Sequence, residues 1–165
     1  MLIRPLIPDD IPATAALLRR AAEEFILHES TPEGAAAFLA EQSEDAIRGF
    51  VARGFAYHVA ELEGRLAGFI AIRERTHVYH LFVDKRFHRR GIARRLWETA
   101  RAAVLASGPG PHPGCFTVNA SNHALPFYAA LGFAPTAPMQ TGAVRYNPMR
   151  LMLARPLEGA LVDPA

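Results

Sequence analysis

The chain has 165 residues, 50% hydrophobic and 21% charged, with a formal net charge of +2. This is the size and make-up of one globular domain, able to bury roughly 70% of its unfolded surface without a disulfide or metal staple. The single cysteine, Cys115, excludes an internal disulfide and a Cys-based zinc site, and it fits a reducing compartment.

The first ten residues place Pro5, Pro8, Asp9 and Asp10 where a signal peptide needs an unbroken apolar stretch, and no later run approaches about 18 apolar residues. A soluble, cytoplasmic protein with no membrane partner is expected. Ile3 begins a short apolar strand. Asp9 or Asp10 then caps a helix that Pro12 enters in its first turn, where a missing N–H costs nothing. Ile11, Ala15, Leu18, Ala22, Phe25 and Ile26 recur at helical spacing. A second helix starts at Thr31-Pro32-Glu33 and carries Phe38, Leu39, Ile47, Phe50 and Val51 to about Arg53.

The period then changes from helical to alternating. Ala56 to Leu62, the turn Glu63-Gly64-Arg65 and Leu66 to Arg73 read as a hairpin, and His77 to Val83 as a third strand. The helix after Gly91 sets Ile92, Leu96, Trp97, Ala100, Ala103 and Val104 against Arg94, Arg95, Glu98 and Arg101, so it covers a sheet. Ser107 to Gly114 is a Gly/Pro loop inside one domain. Cys115 to Asn119 is a strand, with Cys115 a small core residue. A short helix follows from Asn122 or His123 to a left-handed C-cap at Gly132. Arg145 to Leu153 closes the chain as a strand in which Pro148 marks an edge or a bulge. This order implies a mixed sheet with helices on both faces, an α/β (mixed α+β) class, in one domain spanning residues 1–155 with a short tail, 156–165.

Charge is uneven along the chain. Between Lys85 and Arg101 seven bases face one acid, a local +6 that leaves −4 on the remainder. One basic segment on a mildly acidic body points to a local anionic ligand more than to a polyanion-binding surface, and no nucleic-acid-binding motif accompanies it. The histidines include no HExxH arrangement, so no metal is expected. The segment Leu81 to Leu96 is a strand end, a basic loop and a helix opened by Gly91 and Ala93. Unpaired N–H groups and the positive end of the helix dipole suit a pyrophosphate there. The alternative for the arginines is a solvated helix face with Arg94–Glu98 and Glu98–Arg101 pairs.

The loop His88-Arg89-Arg90-Gly91-Ile92-Ala93 resembles motif A of the GCN5-related N-acetyltransferases (GNATs), Gln/Arg-x-x-Gly-x-Gly/Ala, with His88 in the Gln/Arg position. Thr117 to Phe133 resembles the family's strand, Asn, short helix and FY..LGF ending, and His77 to Val83 resembles a strand of a bacterial branch. The similarity runs from Tyr57 to Leu153, and the start, Ile3-Arg4-Pro5 with Asp9-Asp10, also looks like that fold's. It implies the GNAT fold, with a mostly antiparallel sheet of six to seven strands splayed in the middle. It further implies acetyl-CoA as co-substrate and a small-molecule or peptide amine as acceptor, and dimerisation is common in the family.

By the same resemblance, the cofactor is held by Leu81, Phe82 and Val83, by His88, Arg89, Arg90, Gly91, Ile92, Ala93 and Arg94, and by Asn119, Ser121 and Tyr128, with Tyr128 as general acid. Family members place a carboxylate on the strand before motif A or rely on water; here that strand offers His77, Tyr79 and His80. His77, expected on the same face as Tyr79, Leu81 and Val83, is the candidate base. Glu24, His28, Glu29 and Tyr79 are candidates to line the acceptor pocket. The alternative function is a non-catalytic acyl-CoA-binding or regulatory module on the same fold, suggested by His88 and the missing strand carboxylate.

Overall fold

The computed structural model describes residues 1–154, so the expected domain boundary at 155 and the tail lie outside the described residues. Helices and strands follow in the order β1 (Leu2–Pro5), α1 (Ile11–Phe25), α2 (Pro32–Ala40), α3 (Glu44–Ala52), β2 (Ala56–Leu62), β3 (Arg65–Arg73), β4 (His77–Val83), α4 (Ile92–Ala106), β5 (Cys115–Ala120), α5 (Leu125–Ala130), β6 (Ala134–Pro135), β7 (Gln140–Thr141) and β8 (Arg145–Met152). The strands form one sheet in the order β1-β2-β3-β4-β5-β8-β6, with β7 also beside β8. Every pairing is antiparallel except β4 with β5. The two-residue strands β6 and β7 take the count to eight, above the expected six to seven.

Each face of the sheet has its own core. On one side Ile11, Leu17, Leu18 and Ala22 of α1 and Ile47 and Phe50 of α3 meet Tyr57, Val59, Phe69 and Ala71. On the other, Ile92, Leu96, Trp97, Ala100 and Val104 of α4 and Tyr128 of α5 meet Ile70, Ile72, Val78, Phe116 and Val118. Burying each of the larger side chains contributes about 1.5–3 kcal/mol, so these two layers supply most of the driving force. Close approach of α4 needs Gly68, where a Cβ would lie 2.9 Å from the Phe82 carbonyl oxygen and 3.2 Å from Leu96. The β2–β3 hairpin turns at Glu63 and Gly64, both with positive φ (55° and 69°), as a two-residue turn matched to strand twist requires.

Four local expectations are corrected. The segment 31–53 is two helices, because Ser43 caps a new one by accepting the Ala46 N–H at 3.1 Å. Asp10 stands at the N-cap of α1 but makes no side-chain bond to that helix; its carboxylate takes a two-point ion pair from Arg4 at 2.7 and 3.0 Å and accepts the Ile7 N–H of the preceding turn at 2.9 Å. The short helix begins at Leu125, since residues 121–124 are spent in a turn where Ala124 N–H meets both Ser121 oxygens. Cys115 is half-buried at the start of β5 and lies outside the core. Pro148 falls where the outer partner of β8 changes from β6 to β7; its carbonyl accepts from Thr136 N–H on that side, so its missing donor faces the interruption.

The end of β4 is fastened by Asp84, which is 6% exposed. Its carboxylate accepts from Arg86 N–H (3.0 Å), from the Arg86 guanidinium (2.8 and 3.0 Å) and from Arg20 of α1 (3.3 Å). The Arg86 bonds hold the carboxyl well below the usual carboxylate range. A depressed folded value means that the stabilisation is complete above the ordinary value of 3.8 and is lost as pH falls from there toward the folded value. Asp84→Asn should therefore lower stability at pH 7 by about 1–3 kcal/mol and flatten the acid-side fall in melting temperature, as read by thermal melts between pH 7 and 3.

Candidate active site

β4 and β5 pair over two residues only, His77 with Thr117 and Val78 with Val118, and then diverge. The divergence starts at a β-bulge: His80 pairs with Ala71 and Val78 with Ile72, which leaves Tyr79 without an opposite residue on β3. One extra residue resets the alternation of everything after it. Val78, Leu81 and Val83 therefore pack toward α4, whereas Tyr79 and Phe82 pack toward α1 and α3, so the expectation that Tyr79 shares a face with Leu81 and Val83 does not hold. Beyond Val78 the edge of β4 that faces β5 has no strand partner, so its backbone donors and acceptors are left to solvent or to an extended ligand.

The gap between the strands opens onto a cleft of about 530 Å³ lined by Leu81, Phe82, Val83, His88, Arg89, Gly91, Ile92, Ala93, Arg94, Ser121 and Tyr128 of the expected cofactor set. The first helical bond of α4 runs from Arg95 N–H to Gly91 C=O at 3.1 Å, so the N–H groups of Gly91 to Arg94 have no partner within the helix. Gly91 adopts φ +73°, and a Cβ built on it meets nothing within 4 Å, so the space beside its backbone is open. Arg89 is also left-handed at φ 62°, a conformation that a non-glycine residue adopts at a cost of about 1 kcal/mol or more. These features fit a pyrophosphate on backbone amides.

The basic segment contributes less free charge than its count implies. Arg86 is held by Asp84, Lys85 pairs with Glu24, and Arg90 leans toward Glu63 at 3.8 Å and over the Phe87 ring, outside the cleft. Arg89 and Arg94 reach the cleft and have no acidic partner among the described residues. His88 turns its ring inward, donating from Nε2 to the Val83 carbonyl at 2.9 Å, so it ties the loop to the end of β4.

A second cavity, of about 300 Å³, lies beyond the bulge among Phe38, Gln42, His77, Tyr79, Asn119 and Tyr146. It shares Ile26, Leu81, Phe82, Ser121, Ala124 and Tyr128 with the first. Tyr128 is 4% exposed, its hydroxyl has no partner among the described residues, and burial pushes its phenol up from the ordinary value of 10. It is aimed from α5, whose end is fixed by Gly132 at φ +94° and by the bond from Phe133 N–H to Tyr128 C=O at 3.0 Å. His77 shares a 2.8 Å hydrogen bond with Thr117 Oγ1, and burial, aided by the Arg73 charge, lowers it to about 4. His80 is buried against Tyr57, whose hydroxyl lies 3.2 Å from Nδ1, and is lowered to about 3 by burial.

Three of the expected acceptor residues lie outside this cavity. Glu24 is held by Lys85, His28 is largely exposed, and Glu29 accepts a 2.7 Å bond from Asn122. Phe25, Phe38, Gln42, His123 and residues 142–146 line the two cavities without any signal in the local sequence, because they come from segments far apart in the chain.

The family model of the acetyltransferase (GNAT) domain matches residues 26–153. The chain belongs to the GNAT acetyltransferase family, and its fold is that family's. Similar solved structures include a GCN5-related N-acetyltransferase from Rhodopseudomonas palustris (TM-score 0.77, 23% identity, covering 92% of this chain and 95% of that one). PaiA N-acetyltransferase from Thermoplasma acidophilum, in complex with coenzyme A, gives TM-score 0.76 at 15% identity over 92% and 98% of the two chains. A ribosomal-protein-alanine N-acetyltransferase from Brucella melitensis gives 0.63 at 21% identity over 93% and 100%. No curated protein matches the chain by sequence. Among the described residues no helix is long and apolar enough to cross a membrane.

Histidine NMR titration checks the electrostatics of the site. The His77 ring should stay neutral through pH 6 and protonate with a midpoint near 4, against an ordinary 6.5. A midpoint near the ordinary value would show a solvated ring.

Proposed function

We propose that the protein is an N-acetyltransferase that moves the acetyl group of acetyl-CoA to a primary amine by direct attack in a ternary complex. The observation that carries this reading is the meeting of two cavities at one phenol. The cleft that runs to the free N–H groups of α4 and the smaller cavity beyond the bulge share one wall, and Tyr128 is the one phenol in it, beside Leu81, Phe82, Ser121 and Ala124.

On this reading the pyrophosphate rests on the amides of Gly91 to Arg94 with Arg89 and Arg94 beside it. The pantetheine arm adds to the open edge of β4 at Leu81 and Val83 as a further strand, and Asn119 bonds its amides. The neutral amine attacks the thioester carbonyl, the C–N bond forms, the C–S bond breaks, and the thiolate leaves. Tyr128 stays protonated at neutral pH because burial raises its phenol, so it offers the developing thiolate first a hydrogen bond and then the proton. His77, neutral at pH 7, takes the proton of the amine, directly or through water. Burial makes it a weaker base than an ordinary imidazole, so its part is to relay the proton of the adduct to water, after the amine has already become neutral. Tyr79, at the bulge, lines the acceptor side.

The acceptor is a small-molecule or peptide amine. That range is supported by the similar folds of an aminoglycoside 6'-N-acetyltransferase complexed with coenzyme A and of ribosomal-protein-alanine N-acetyltransferases. The lone cysteine favours a reducing, cytoplasmic setting.

Gly91→Glu should fill the open cradle with a carboxylate and weaken CoA binding by at least about 100-fold in calorimetry, with the circular dichroism spectrum retained. Unchanged affinity would refute the phosphate cradle. Tyr128→Phe should slow the chemical step by about 10- to 100-fold in single-turnover thiol release, with CoA affinity close to that of the wild type. If the wild type binds CoA and releases thiol with no amine of a broad panel, the protein is a non-catalytic acyl-CoA-binding module.

A further inference from the structure

Phe25, the last residue of α1, lies stacked between two imidazoles: its ring centroid is 5.3 Å from that of His88 and 4.4 Å from that of His123, with interplanar angles of 26° and 20°. His88 belongs to the loop after β4 and His123 to the loop after β5, so the stack joins the two banks of the gap. All three rings line the larger cleft. A second tie joins the same two segments a few residues on, where Asn122 Nδ2 donates to Glu29 Oε2 at 2.7 Å. Asn122 is in turn held by Asn147 of β8, whose Nδ2 donates to Asn122 Oδ1 at 2.8 Å and to the Ala120 carbonyl at 3.1 Å. The segment after α1 is thus fastened at two points to the loop after β5, and at a third to the loop after β4.

We infer that Phe25, His123 and the Glu29–Asn122 bond form a clasp that closes over the pantetheine arm of the bound cofactor and sets how fast CoA leaves. This rests on the cofactor reading proposed above. An arm lying along β4 passes between the loops that the stack connects, so the rings roof it on the α1 side while α4 and α5 close the other. Entry and release then require the stack to open. Losing the central ring removes both stacks at once, enough to change an escape rate by about tenfold. The clasp touches the arm and not the nucleotide, and this separates it from a general support of the fold.

The experiment measures CoA dissociation by stopped flow, and by calorimetry the affinities for CoA and for 3'-phosphoadenosine 5'-diphosphate, which keeps the pyrophosphate and lacks the arm. Phe25→Ala should speed CoA release about tenfold and leave the affinity for 3'-phosphoadenosine 5'-diphosphate within about twofold. Phe25→Tyr, which keeps a ring in the stack, should release CoA at close to the wild-type rate. His123→Ala, at an exposed loop position, should speed release in the same sense and covers the case in which Phe25→Ala does not fold. Release rates unchanged in folded Phe25→Ala or His123→Ala, or an equal loss of affinity for both ligands, would overturn the clasp. A wild type that binds neither ligand would overturn the cofactor reading itself.

Discussion

The structure turns on two strands that stop pairing. β4 and β5 share a parallel register at His77–Thr117 and Val78–Val118 and then part, although both continue as strands, β4 to Val83 and β5 to Ala120. Backbone donors and acceptors along such a gap stabilise the fold only if something else meets them, and a ligand with its own amides in extended form does so. Everything around the gap serves to keep it open. β3 holds β4 from one side and β8 holds β5 from the other, while α4 and α1 press on opposite faces. Neither strand can drift toward its neighbour without breaking a longer, better-paired ladder.

The bulge at Tyr79 converts this backbone feature into two chambers. By resetting the alternation of β4 it sends Leu81 and Val83 toward the α4 face and leaves Tyr79 and Phe82 facing the helices before the sheet. Tyr128 arrives between the chambers from α5, a helix of only six residues whose position is fixed by the Ser121 turn at one end and Gly132 at the other. A short helix held at both ends places one hydroxyl with little freedom.

Electrostatics at the site depend on pairing more than on count. Of the bases in the Lys85–Arg101 segment, Arg86 is committed to Asp84 beside it and Lys85 to Glu24 of α1, and with the Arg20–Asp84 pair the latter fastens the end of β4 to α1. Arg89 and Arg94 are the ones left facing the cleft, beside backbone amides that carry no counter-charge of their own. The family's Gln/Arg position is filled by His88, whose ring is spent on the Val83 carbonyl and on Phe25. Its contribution is thus to shape the loop.

The residues themselves determined the features that are local in the chain. The helix and strand periods, the Glu63–Gly64 turn, the Gly91/Ala93 helix start, the Gly132 cap and the Tyr128 motif each depend on neighbours within a few positions, and all stand in the structure. The split at Ser43 was also local but was hidden by an apolar spacing that suits one helix as well as two. Tertiary structure alone decided the bulge at Tyr79, the capture of Lys85 by Glu24, 61 residues away, and the stack of Phe25 between His88 and His123. Those contacts join segments that approach only after two sheet faces have been covered, and no period or motif within one segment records which distant partner it will meet.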